Sequence, residues 1–112
     1  MMQKLPDDLV VVFIMAGSAE EAEKIAKGLV ESHLAACVNV VPQVGSWFFW
    51  DEKLCREGET LLVAKTKMAL WDRLVDRVKE LHSYEVPEII ALPIVAGSED
   101  YLRWVRDCLG EK

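Results

Sequence analysis

Basic charge is in short supply in this sequence: 13 Lys and Arg stand against 19 Asp and Glu, for a net charge of -6, and no basic cluster stands out. Such a balance opposes attraction to phosphate backbones and argues against nucleic acid as a partner. Long hydrophobic runs are also missing. No apolar stretch approaches the ~20 residues that span a bilayer, and Met1-Met2-Gln3-Lys4-Leu5-Pro6-Asp7-Asp8 carries no apolar region behind a basic start. No membrane partner is expected, and the cytoplasm is the simplest location. Cysteine is sparse. Cys37, Cys55 and Cys108 are odd in number and widely spaced, which fits neither a disulfide framework nor the close ligand pairs of a zinc finger, so free thiols are expected. There is no Ser nucleophile elbow, no phosphate-cradling Gly-rich loop and no H-E-x-x-H. The expectation is a protein that is not an enzyme.

What is present has the size and balance of one folded domain, residues 1–112 with an N-terminal tail at 1–8: 112 residues, 52% apolar and 29% charged. That apolar share lies slightly above what a small monomer covers on every side, which favours self-association.

Val10 to Ile14 is a continuous apolar run of strand length, closed by Gly17-Ser18. Ser18 and Glu21 form an S-x-x-E capping box, in which the hydroxyl accepts from a free backbone N–H and the carboxylate reaches back. A helix follows, with Ala22, Ile25, Ala26, Leu29 and Val30 at helical spacing. Ala36 to Val41 reads as a second strand that Pro42 stops. Val44 to Trp50 starts a hairpin, with Asp51-Glu52-Lys53 as its turn and a return to Glu57; Gly58 marks a break before a strand over Glu59 to Lys67. Trp71, Leu74, Val75, Val78 and Leu81 give a second amphipathic helix. Glu88 to Val95 closes the sheet, with Pro93 at an edge or bulge, and Ser98 caps a last helix carrying Tyr101, Leu102, Val105 and Leu109. The order strand, helix, strand, strand, helix, strand predicts an α+β fold, a ferredoxin-like βαββαβ sandwich with both helices on one face of the sheet.

Chemistry-bearing residues crowd one junction. His82-Ser83-Tyr84-Glu85-Val86-Pro87-Glu88 places an imidazole, a phenol and two carboxylates between a helix and a strand. His82 is either a helix C-cap or, with Glu88, part of a site for a borderline divalent ion such as copper or zinc. Cys37 is either a small buried hydrophobe or a soft ligand for copper. Any such site has few ligands and binds weakly. Trp47, Phe48, Phe49 and Trp50 alternate in direction, so both sides of their strand are apolar and one must meet something else: a neighbouring subunit or a stacked small molecule. Lys65 and Lys67, at a strand end, are solvated charges or an attraction for an anion.

Taken together, Ala36-Cys37-Val38-Asn39, Ser46-Trp47-Phe48-Phe49-Trp50, Lys65-Thr66, the run from His82 to Glu88, and Tyr101, Leu102 and Trp104 resemble the CutA divalent-cation tolerance family over Leu9 to Leu109, nearly the whole chain. The resemblance implies a homotrimer of ferredoxin-like subunits, each with an extended hairpin arm that contacts a neighbour and a C-terminal helix. It also implies tolerance of copper or another divalent cation, weakly bound and not obligatory. His82, Glu88 and Cys37 are the metal candidates. Trp47, Trp50, Lys65, Tyr84 and Glu85 are the pocket or interface candidates. The trimer resembles that of PII-type signal proteins, so the alternative is a sensor or interaction scaffold taking a small anion in clefts between subunits. A structural trimer without ligand is a third reading. Three positions depart from the family pattern: Met15-Ala16-Gly17-Ser18 replaces a Thr-x-Pro turn, Ile14-Met15 stands where some members place a copper-binding Cys, and Ser83 replaces a Pro.

Overall fold

The structure is a computed structural model that describes residues 8–110; of the tail expected over residues 1–8, all but Asp8 lies outside the described residues. The chain runs β1 (Leu9–Ala16), α1 (Ala19–Glu31), β2 (Cys37–Trp50), β3 (Lys53–Lys67), a 3₁₀ turn (Met68–Leu70), α2 (Trp71–Leu81), β4 (Ile89–Pro93) and α3 (Glu99–Cys108). The strands form an antiparallel sheet in the order β2-β3-β1-β4. The element order is the one the sequence pattern predicts.

Alternation along β1 and β3 assigns the two faces of the sheet. Val10, Val12, Ile14 and Ala16, with Leu62 and Ala64, are buried against Ala22, Ile25 and Leu29 of α1 and Leu74 and Val78 of α2. Each buried Val, Leu or Ile contributes about 1.5–3 kcal/mol to that core. Thr66, also buried, donates from Oγ1 to the Leu34 carbonyl at 2.7 Å, which fixes the connection from α1 to β2 against the sheet. The other face carries Val11, Phe13, Leu61 and Val63, partly covered, and Ile90 and Leu92, exposed.

Two breaks expected from the sequence are absent. Pro42 does not end β2. The register shifts between Val41 and Val44, with Gln43 at φ 62, so a bulge takes up the residue that cannot donate to the ladder and the strand continues. Gly58 does not interrupt β3 either, because it pairs with Gly45 across the ribbon. Two predicted strands are therefore one long β3. Asp51 and Glu52, at φ 53 and 61, make a two-residue turn of the kind that matches the twist of a hairpin. Since β1 reaches β3 only as far as Thr60, the pairs from Val44↔Glu59 to Trp50↔Lys53 form a free two-stranded arm, and the molecule measures 47 × 34 × 24 Å.

Ser18 caps α1 as predicted, its hydroxyl accepting from the Glu21 N–H at 3.1 Å. The Glu21 carboxylate does not reach back to complete the box. It turns toward the loop after α2 and accepts from the Ser83 N–H at 3.2 Å. Ser98 occupies the N-cap position of α3 without a capping hydrogen bond from its side chain.

Candidate functional site: a groove between the arm and the loop after α2

The loop from His82 to Glu88 is pinned to β1 through the backbone of Met15. His82 Nε2 donates to the Met15 carbonyl at 2.6 Å, and the Met15 N–H donates to the Glu88 carbonyl at 3.3 Å. His82 is the C-cap residue of α2, but its ring serves β1 rather than the last carbonyls of its own helix. The Tyr84 N–H donates to His82 Nδ1 at 3.0 Å, which makes Nδ1 an acceptor and places the ring proton on Nε2. Both ring nitrogens are engaged and the side chain is 0% exposed. Glu21 Oε2 lies 3.4 Å from the same Nδ1 and, with that nitrogen already accepting, is buried without a hydrogen-bond partner.

The loop so held presents Tyr84 to the base of the arm. Its ring sits 4.8 Å from that of His82 and lies over Gly17, where a side chain would collide with the phenol. Its hydroxyl donates to Glu59 Oε2 at 3.0 Å. Burial, then that hydrogen bond and the charge of Glu59, push the Tyr84 phenol up to about 12, with Glu21 and Glu57 adding to the effect.

Between the arm and this loop runs a groove of about 890 Å³. Trp47, Phe48, Trp50, Cys55, Glu57 and Glu59 line it from the arm; Tyr84, Glu85, Val86 and Glu88 line it from the loop, with Met15 below. Four carboxylates thus stand on two walls, and among the described residues no Lys, Arg or His lines the groove. The register puts Phe48 opposite Cys55, Ser46 opposite Glu57 and Trp50 opposite Lys53, so Phe48, Trp50, Cys55, Glu57 and Glu59 share the inner face of the ribbon with Lys53, which stands at the tip outside the groove lining. Trp47, although it borders the groove, belongs by register to the outer face with Phe49, Arg56 and Leu54. There the Arg56 guanidinium covers the Trp47 ring, 5.9 Å from its centroid.

Of the residues singled out from sequence, Trp47, Trp50, Tyr84, Glu85 and Glu88 border this groove. His82 stands behind it and holds its wall. Cys37 and Lys65 lie elsewhere. They face each other across β2 and β3, with Lys65 Nζ 4.0 Å from Cys37 Sγ and bonded to Asn39 Oδ1. Tyr101 joins that patch, its phenol pushed up by burial and by the neighbouring Cys37. Lys65 pairs with Val11 of β1, whereas His82 bonds Met15, four residues along, or about 13 Å. The expected set of His82, Glu88 and Cys37 does not meet within one chain, and among the described residues no three His, Cys, Asp or Glu side chains converge as a metal site.

Glu57 and Glu59 escaped the sequence reading. Their signal was the period of two, which puts both on one face of a strand whose neighbours are aromatic. Glu21 escaped it because a capping box accounts for the same residue locally.

The CutA1 divalent ion tolerance protein family matches residues 10–108. A divalent-cation tolerance protein CutA of Thermus thermophilus is 48% identical over 100 residues, covering 89% of this chain and 97% of that protein. A chloroplastic protein CutA of Arabidopsis thaliana is 41% identical over 98 residues, 88% of this chain, and the match spans only 54% of the plant protein. Among solved structures, CutA1 from Oryza sativa superposes with a TM-score of 0.90 at 37% identity, over 96% of this chain and 100% of that one.

Proposed function

The chain belongs to the family of CutA1 divalent ion tolerance proteins, and from that premise we propose that it is a non-enzymatic homotrimer that holds copper or a similar divalent ion weakly along the acidic groove. The observation that carries the reading is the groove's charge: Glu57, Glu59, Glu85 and Glu88 on facing walls, with no cationic side chain of the described residues among its lining. Carboxylates attract divalent ions, and the Cys55 thiol and Met15 thioether in the same groove favour softer ones such as copper. With no three His, Cys, Asp or Glu side chains converging among the described residues, binding is weak and exchangeable. His82, its two nitrogens engaged, acts as a positioning residue for Tyr84, and Glu88 is the metal candidate that stays in the groove. Cys37, beside Lys65, lies outside it.

Assembly is supported by incompletely covered apolar surface. Phe13, Val63, Ile90 and Leu92 lie on the sheet face opposite α1 and α2, and Phe49 and Leu54 on the outer face of the arm are 73% and 62% exposed. Neighbouring copies would cover both. No helix among the described residues is long and apolar enough to cross a membrane, and the three cysteines are unpaired, which supports placing the protein in a reducing compartment, the cytoplasm.

Native mass spectra with and without copper(II) test both halves of the proposal. A trimer that takes up copper, and takes up less after Glu57→Gln with Glu85→Gln, is the expected result. A trimer that stays metal-free removes the ion-binding half, and a monomer removes the assembly.

A further inference from the structure

The groove has more aromatic surface than a metal site uses. Phe48 and Trp50 turn their rings to the same side of the ribbon as Glu57 and Glu59, and Tyr84 closes the end beneath them. Met15, Val44 and Val86 add an apolar lining. A small divalent ion is strongly hydrated and needs oxygen ligands gathered at one point. Here the carboxylates are spread over two walls with hydrocarbon and aromatic faces between them. That pattern suits a long cation whose charges are separated by apolar methylene groups.

From this arrangement we propose that the groove binds linear aliphatic polyammonium ions, their ammonium groups meeting the glutamates and their methylene segments lying against Phe48, Trp50 and Tyr84. The assignment concerns the same groove as the metal reading and does not depend on a metal entering it. Ammonium groups are attracted to the faces of Trp, Tyr and Phe within about 6 Å of the ring centroid. The ribbon already shows that chemistry on its outer side, where Arg56 covers Trp47 at 5.9 Å. Glu57 and Glu59, two residues apart on one strand, are separated by about 6.6–6.8 Å along it, a spacing that a diamine with a three- or four-carbon bridge spans. Glu85 and Glu88 on the facing wall provide for a further ammonium. The negative field at the groove floor is felt by Tyr84, whose ionisation Glu59, Glu21 and Glu57 all oppose.

Titration calorimetry of the full-length assembled protein with spermidine, at physiological salt, is the test. Saturable binding is expected, with affinity falling about tenfold for Trp50→Leu, which removes an aromatic face and no charge, and further for Glu57→Gln. Trp50 is 70% exposed, so its replacement leaves the core intact. Magnesium chloride at matched ionic strength should compete no better than sodium chloride. Absence of saturable binding, or binding that Trp50→Leu leaves unchanged, overturns the proposal, because a diffuse counterion cloud does not sense the ring. Copper uptake measured in parallel separates the two readings: loss of spermidine binding with copper retained in Trp50→Leu supports both, and a protein that binds copper but never spermidine overturns this one alone.

Discussion

Tyr84 donates its hydroxyl to Glu59 at 3.0 Å, and that single bond joins the loop after α2 to the base of the arm. The bond exists only while the phenol keeps its proton. Burial and Glu59 raise its pKa from 10.0 to about 12. A group whose pKa is higher in the folded state contributes stability that is complete below its unfolded value and is lost as the pH rises through the folded one. The contribution of Tyr84 should therefore be intact up to about pH 10 and fade between pH 10 and about 12. Phenolate absorbance should show it ionising late, and Glu59→Gln should bring that step back toward pH 10. A Tyr84 that already titrates at pH 10 in the wild type contradicts the geometry.

Gly17 provides the space in which Tyr84 lies. A Cβ there would stand 2.9 Å from the Tyr84 hydroxyl and 3.2 Å from its ring, closer than such atoms approach. The Gly17 backbone has no positive φ, so alanine is tolerated locally and the collision falls on the tyrosine. Gly17→Ala should swing Tyr84 away from Glu59, cost about 0.5–1.5 kcal/mol for the lost hydrogen bond, and lower the phenol's titration as Glu59→Gln does. Stability by urea denaturation and the tyrosine titration, measured together, check both effects.

The buried pair behind Tyr84 yields a change in the opposite direction. Glu21 Oε2 has no hydrogen-bond partner among the described residues, and His82 Nδ1, 3.4 Å away, is an acceptor. Glu21→Gln can keep the bond to the Ser83 N–H through its carbonyl oxygen and puts a neutral amide where a buried carboxylate oxygen now lacks a partner, which lowers the cost of burial. It should stabilise the protein by about 1 kcal/mol. His82→Ala should instead destabilise it by about 2–4 kcal/mol, since it strands the Met15 carbonyl and frees the loop. Chemical denaturation of the two variants checks the signs, and ¹⁵N spectra of the imidazole should show Nε2 protonated and Nδ1 bare.

Local patterns made most of the fold legible. The period of Ala22, Ile25, Ala26 and Leu29 marked α1, and Ser18 marked its start, because capping and burial act within a turn or two of chain. Pro42 and Gly58 misled for the complementary reason. A break in local propensity was outvoted by the partner strand, which supplied a bulge at one and a paired glycine at the other. The site was half legible. Tyr84, Glu85 and Glu88 stood out in one short run, but the acids facing them lie on another strand. The role of His82 depended on a carbonyl 67 residues away, which no spacing rule reaches.

The outer face of the arm gives the last prediction. Phe49 and Leu54 are direct cross-strand partners near the tip, beyond the reach of β1 and the helices, and both are largely exposed. Nothing among the described residues covers them, so Phe49→Asp should leave the monomer's core and its stability nearly unchanged, as surface substitutions do, within about 0.5 kcal/mol. If neighbouring copies bury this face, the same substitution puts a charge into an apolar contact, which costs far more. Sedimentation velocity over a dilution series should then show the wild type assembled and Phe49→Asp shifted toward monomer. Leu54→Asp should behave alike, because the two side chains share one patch. Trp50→Leu, on the inner face of the same ribbon, should remain assembled, which separates the surface that joins subunits from the surface that lines the groove.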